Sequence, residues 1–149
     1  MPMVEVYEDI LDVKANTRVC TINLTGAMGA GVAKRFRDNV PGIFKHYKKM
    51  YPTIEPTQFI AFKTGGELHL LIPTKLDWKN DSPRNLVIQN LHKLADLVLA
   101  NPEMSPVALP PMGCGNGGLN YYSDIRHEYH VAFDNHPGQF IVTLGKDEE

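Results

Sequence analysis

Apolar positions recur along the chain with two distinct periods. Residues 4–7 alternate, and residues 18–23 place Val19, Cys20 and Ile22 among polar neighbours; both predict strands. Val32 and Phe36 share a helical face that leaves Lys34, Arg35, Arg37 and Asp38 mostly outside it, and Pro41 ends that helix. Ile43, Tyr47 and Met50 have helical spacing and predict a short second helix, closed by Pro52. Residues 58–62 and 68–72 flank a turn containing Gly65-Gly66 and predict a hairpin. A polar loop is expected over residues 73–81, with Ser82 as N-cap and Pro83 at the first helical position. Val87, Leu91, Leu94 and Val98 then mark one face of a helix that closes at Asn101-Pro102. A short run at 107–109, a helix from about 121 to 133 and a strand over 139–144 follow, with residues 146–149 as a frayed tail. Six strands interleaved with four helices predict an α/β fold: a mixed six-stranded sheet with helices on both faces.

Two strand ends run into glycine-rich loops. The first is Thr25-Gly-Ala-Met-Gly-Ala-Gly31 and the second Ala108-Leu-Pro-Pro-Met-Gly-Cys-Gly-Asn-Gly-Gly-Leu119. A loop of this kind can turn several backbone N–H groups toward one point, and the helix behind it adds partial positive charge. Phosphate is the natural guest. One such loop alone reads equally well as a surface turn; two at strand ends of one sheet point to a shared ligand edge.

Composition narrows the class. At 149 residues, 43% hydrophobic and 21% charged, the chain suits one domain with a real core. No apolar run reaches the length of a membrane span, and the N-terminus lacks the charged and apolar regions of a signal peptide, so no membrane partner and a cytoplasmic setting are expected. Cys20 and Cys114 have no metal-ligand spacing and are expected as free thiols, Cys114 as a small packed side chain. The six histidines form no metal pattern, so neither metal nor cofactor is expected. The net charge of −2 hides an asymmetry: residues 34–84 hold ten Lys and Arg against five Asp and Glu, the remainder five against twelve. The basic middle fits an anionic ligand, a nucleic acid or simply a solvated helix face.

Four segments, in order, resemble the macrodomain family, which binds ADP-ribose. They are Asp9-Ile-Leu11 after the first strand, Thr21-Ile-Asn23 with Gly26-Ala-Met-Gly-Ala-Gly31, Pro73-Thr-Lys75 with Trp78, and the second glycine loop. The likeness covers essentially the whole chain and implies a single domain over residues 1–149, a three-layer α/β/α sandwich. Within the family the chain resembles the branch holding DarG-type DNA ADP-ribosyl glycohydrolases and the human terminal ADP-ribose protein glycohydrolase. There are departures. Glu8 stands where a glycine often precedes the acid, Cys20 replaces the first Asn of an Asn-x-x-Asn, and Gly117 occupies the position of the human enzyme's catalytic aspartate.

The resemblance implies the following roles. Lys75 is catalytic and attacks the distal ribose C1″, for which its amine must be neutral. Asn23 holds the distal ribose hydroxyls, and Asp9 with Ile10 receives adenine. Gly29 and Gly31 approach the ligand from the first loop. Pro111, Gly113, Cys114, Gly115, Asn116, Gly117, Gly118 and Leu119 wrap the diphosphate and ribose from the second. From the residues themselves, Lys34, Arg35 and Trp78 are candidates for nucleic-acid contact, with Trp78 equally a ring that closes the loop onto the core, and Asp77 is expected as an exposed loop acid. The implied activity is removal of ADP-ribose from modified nucleic acid, with a DNA thymidine-type linkage foremost. An ADP-ribose-1″-phosphate phosphatase, a protein mono-ADP-ribosyl hydrolase and a non-catalytic ADP-ribose reader stay open. The partners implied are ADP-ribose or an ADP-ribosylated substrate, and DNA; a monomer is expected.

Overall fold

The computed structural model describes residues 2–145. Six strands form one sheet: β1 (Val4–Val6), β2 (Thr17–Asn23), β3 (Ile60–Thr64), β4 (Glu67–Lys75), β5 (Val107–Leu109) and β6 (Phe140–Thr143). Their order across the sheet is β1-β6-β5-β2-β4-β3, and only the β3–β4 hairpin is antiparallel. The helices are α1 (Gly31–Asn39), α2 (Ile43–Met50), α3 (Arg84–Ala100) and α4 (Arg126–Phe133). None is long and apolar enough to cross a membrane.

Strand alternation sends buried side chains to both faces of the sheet. Val19, Leu70, Ile72, Val107, Leu109, Phe140 and Val142 join α3 and α4 in one core. Cys20, Ile22, Leu71 and Ala108 face the opposite way and pack with Phe36, Ile43 and Tyr47 of α1 and α2. Three layers result. Burial pushes the Cys20 thiol pKa up, so this cysteine stays protonated.

Three local expectations are corrected. Residues 73–75 belong to β4 and not to a loop: Pro73 pairs with Ile22 and Lys75 with Asn23, and the register shifts between them. Such an irregularity is where a sheet accepts a proline, which has no N–H to give the ladder. Ser82 does not cap α3 through its side chain; Pro83 occupies the N-cap, and its carbonyl accepts the Val87 N–H at 3.1 Å. The helix expected from residue 121 winds wide at first, as a π-turn over Tyr121–Ile125, before α4 begins. There the Asn120 amide oxygen accepts the Ser123 N–H, and Asp124 accepts the Asn120 N–H at 2.7 Å. These two bonds act as a reciprocal cap. The expected tail at 146–149 lies outside the described residues.

Two partly exposed ionic contacts tie the ends of the fold down. Arg18, on β2, donates to the carbonyls of Ile10 and Val13 and pairs with Glu67 at 2.7 Å, fixing the segment after β1 against the sheet. Glu5 accepts two bonds from Arg126, at 2.7 and 2.9 Å, and one from the Tyr121 hydroxyl at 2.6 Å. The Arg126 guanidinium holds the Glu5 carboxyl below the ordinary glutamate value; burial opposes it and the Tyr121 hydroxyl assists. A lowered carboxylate pKa contributes stability that is complete above the unfolded value and is lost as pH falls through the folded one. Glu5→Gln should therefore lower stability at neutral pH and flatten its decline below about pH 4.5. Urea unfolding midpoints measured across that range test this, and an acid limb parallel to the parent's would reject it.

Candidate active site

Strands β5, β2 and β4 lie side by side and are parallel, so their C-terminal ends share one edge. Residues 24–30, 76–82 and 110–120 leave that edge as three loops. Between them lies a cleft of about 750 Å³, lined by Asn23, Lys75, Trp78, Ser82 and both glycine loops. That volume suits a small organic ligand.

The first loop is held from below. Tyr47, wholly buried on α2, directs its hydroxyl at the backbone oxygen of Asn23 at 2.7 Å and its amide oxygen at 2.8 Å, and accepts the Gly26 N–H at 3.0 Å. The Asn23 amide extends the clasp. Its oxygen accepts the N–H groups of Thr25 and Ala27, and its nitrogen donates to the Ala27 carbonyl at 2.9 Å. Burial pushes the Tyr47 pKa up to about 12, keeping the hydroxyl a donor. The loop delivers the start of α1 to the cleft. Ala30 occupies its N-cap without a side-chain hydrogen bond, the first turn holds no acid, and Gly31, Val32 and Ala33 line the cleft wall. The N–H groups of these residues are those a helix leaves without internal acceptors, and together they favour an anion.

The second loop is held in the same way. Tyr129, buried on α4, donates to the Pro110 carbonyl at 2.5 Å and accepts the Met112 N–H at 2.7 Å. Burial raises the Tyr129 pKa well above the ordinary phenol value. Gly113 has a φ of +79°, and a Cβ there would sit 2.8 Å from Leu119 Cδ1 and 2.9 Å from Val87 Cγ2. Only glycine combines that backbone with that packing. A Cβ on Gly31 would stand 3.2 Å from the Asn116 amide nitrogen, so the two loops meet at this point.

No family model matches the chain. The DNA ADP-ribosyl glycohydrolase of Mycobacterium tuberculosis (strain ATCC 25618 / H37Rv) is 32% identical over an alignment of 135 residues that covers 87% of this chain and 38% of the relative. The chain thus spans well under half the length of that curated relative. The solved macrodomain of Mycobacterium tuberculosis DarG superposes with a TM-score of 0.85 at 26% identity, covering 95% of this chain and 97% of that one. The chain belongs to the macrodomain family. The DarTG of Thermosipho africanus, solved in complex with ADP-ribose, has the same fold, with a TM-score of 0.82 at 22% identity over 96% of this chain and 42% of that one.

In this macrodomain the residues singled out from the sequence fall into two sets. Asn23, Gly29, Gly31, Lys75, Trp78, Pro111, Gly113, Cys114, Gly115, Asn116 and Gly117 line the cleft. Asn23 and Lys75 are partners across the β2–β4 register, and the Lys75 ammonium donates to the Trp78 carbonyl at 3.2 Å. Trp78 itself is 57% exposed, its N–H bonded to Thr25 Oγ1 at 3.1 Å, which joins the β4 loop to the first glycine loop.

The second set lies outside the cleft lining. Asp9 pairs with Arg35 at 2.6 Å and accepts the Leu11 N–H, while Ile10 is buried. Lys34 pairs with Asp38 at 2.7 Å, and Arg37 with the same carboxylate at 3.2 Å. Gly118 packs against Asp81, and Leu119 joins the core beside Gly113. Asp77 accepts the Lys79 N–H and shapes its own turn. Among the described residues no group of three His, Cys, Asp or Glu side chains gathers to hold a metal.

Sequence reasoning missed Tyr47, Tyr129 and Ser82. The first two were legible only as apolar helix positions, although a tyrosine where phenylalanine would suffice signals a hydroxyl in need of a partner. Tyr47→Phe would leave the Gly26 N–H without its acceptor and strip a donor from Asn23. We expect it to cost about 1–3 kcal/mol of unfolding free energy, measured by urea denaturation; an unchanged midpoint would show that the hydroxyl does not hold the loop.

Proposed function

We propose that this macrodomain binds ADP-ribose in the cleft and removes it from a modified target, with ADP-ribosylated DNA as the preferred substrate. The observation that carries the reading is the juxtaposition of Lys75 and Asn23 at adjacent strand ends, beside the uncapped start of α1 and the second glycine loop. The N–H groups of the α1 start and of the second loop receive the diphosphate, where backbone donors and the helix dipole act together. Asn23, clasped on three sides, offers its remaining amide hydrogen to a distal ribose hydroxyl. On the far side, Asp9 keeps acceptor capacity beyond Arg35 and Leu11 for the adenine amino group.

The Lys75 ammonium first gives up a proton to water, and the freed amine attacks C1″ from the cleft floor. The C1″–N bond to the lysine forms as the bond from C1″ to the target breaks, and the leaving group takes up a proton. Water then displaces the lysine and frees ADP-ribose. The cleft offers no acidic side chain among its lining residues to share this work. The relative from Mycobacterium tuberculosis is named for this activity on DNA, which supports the DNA reading.

The rim favours a nucleobase as well. Trp78 stands exposed next to Lys75, with the exposed Lys79 beside it. A base linked to C1″ would lie within reach of the indole face, and stacking of this kind tolerates any base. Lys34 and Arg35 are engaged by Asp38 and Asp9, and among the described residues that line the cleft the side-chain cations are Lys75 and Lys79.

Two variants test the reading on ADP-ribosylated DNA, ADP-ribosylated protein and ADP-ribose-1″-phosphate assayed side by side. Lys75→Ala should slow release at least about a hundred-fold while ADP-ribose still binds; undiminished hydrolysis would remove the lysine from the mechanism. Trp78→Ala should weaken the DNA reaction about ten-fold, the scale of one lost base stack, and leave the protein reaction unchanged. An equal loss on both substrates would assign Trp78 to the loop's structure instead.

A further inference from the structure

Three buried side-chain polar atoms have no hydrogen-bond partner among the described residues: His69 Nδ1, Asn90 Oδ1 and Ser82 Oγ. His69 sits in the core between Phe36 and Phe62, where burial lowers its pKa and keeps it neutral. Asn90 already spends its amide nitrogen on the carbonyls of Pro56 and Pro73. Ser82 alone of the three lines the cleft, and it is 5% exposed.

Its surroundings are specific. The Ser82 N–H donates to the Gly117 carbonyl at 2.7 Å, fixing the β4 loop beneath the second glycine loop. A Cβ on Gly117 would lie 2.5 Å from Ser82 Oγ. The hydroxyl thus occupies the space that any larger residue at 117 would need. A buried hydroxyl without a partner is a cost to the folded state, and alanine would avoid it. Serine has three staggered χ1 positions, and a role in ligand binding takes one that turns the hydroxyl from beneath Gly117 toward the cleft.

We infer that Ser82 is a ligand-positioning residue whose hydroxyl hydrogen-bonds an oxygen of the distal ribose–phosphate half of ADP-ribose when the cleft is filled. The inference rests on the ADP-ribose reading above. The sheet order decides which half: Ser82 follows β4, as Lys75 does, whereas Asp9 and Ile10 follow β1 at the opposite edge of the sheet. On that reading adenine and distal ribose lie toward opposite sides of the sheet's ligand edge, and Ser82 stands on the distal side. A hydroxyl there both donates and accepts, so it serves a ribose hydroxyl or a phosphate oxygen.

The test is Ser82→Ala, compared with the parent by calorimetric titration of ADP-ribose and of AMP, and by thermal unfolding without ligand. The expected result has three parts. ADP-ribose binds about ten-fold more weakly, the scale of one buried hydrogen bond. AMP, which lacks the distal half, keeps its affinity within about two-fold. The ligand-free variant unfolds at the same temperature as the parent or higher, since no partnered bond was removed. ADP-ribose affinity equal to the parent's would overturn the inference and leave the ADP-ribose reading standing. Equal weakening toward AMP, or a lower unfolding temperature, would overturn it in favour of a purely structural serine. A parent protein that binds no ADP-ribose would overturn both.

Discussion

The Tyr47 hydroxyl points at both oxygens of Asn23 while accepting from Gly26, and the Tyr129 hydroxyl bridges Pro110 and Met112. Each phenol reaches up from a different face of the sheet, Tyr47 from α2 and Tyr129 from α4, and ends under a different glycine loop. Loops with so many glycines have much backbone freedom to lose on ordering. A rigid ring anchored in close-packed core transmits the order of the sheet to the loop at one atom. The cleft owes its shape to these two attachments, and the cross-strand register pairing of Asn23 with Lys75 sets the two residues side by side.

Electrostatics follow the same plan. The basic bias of the middle of the chain suggests a broad positive face, yet Lys34, Arg35 and Arg37 are met by Asp38 and Asp9. Lys34, and then Arg37, hold the Asp38 carboxyl below its ordinary range. What remains positive at the ligand edge is concentrated: the open start of α1, Lys75 and Lys79. Exposed pairs on a helix surface contribute little to stability, but here they remove charge that would otherwise draw anions away from the cleft.

Much of this was legible in the sequence, for identifiable reasons. Helix faces such as Val87-Leu91-Leu94-Val98 and the alternation in the strands are written by burial, which periodicity reads directly. The glycine loops announced themselves by composition. Boundaries near the site were harder. Pro73 and Lys75 look like loop residues because proline and lysine are rare in central strands, and only the register shift opposite Ile22 explains their place in β4. Ser82-Pro83 has the composition of a helix cap, but the serine's backbone is committed to Gly117, a contact 35 positions away that no local pattern encodes. Arg35 reads as an open cation because its partner Asp9 comes from another part of the chain, whereas the Lys34–Asp38 pair, four residues apart, lies within local reach.

The glycines themselves divide in a way composition conceals. Read from sequence, Gly113, Gly115, Gly117 and Gly118 all wrap phosphate, each lacking a Cβ so that an oxygen may come close. In the structure, a Cβ on Gly29 or Gly115 would meet nothing, so these two are open toward the cleft and their smallness serves whatever enters it. Gly113, Gly117 and Gly118 have their crowded sides turned inward, against Val87 and Leu119, Ser82, and Asp81 respectively. Their smallness serves the protein, letting the second loop settle onto the segment that leads into α3. On the ADP-ribose reading, a ligand is gripped by a loop already seated on that segment, and the packing of those three glycines sets how far the loop stands from Lys75.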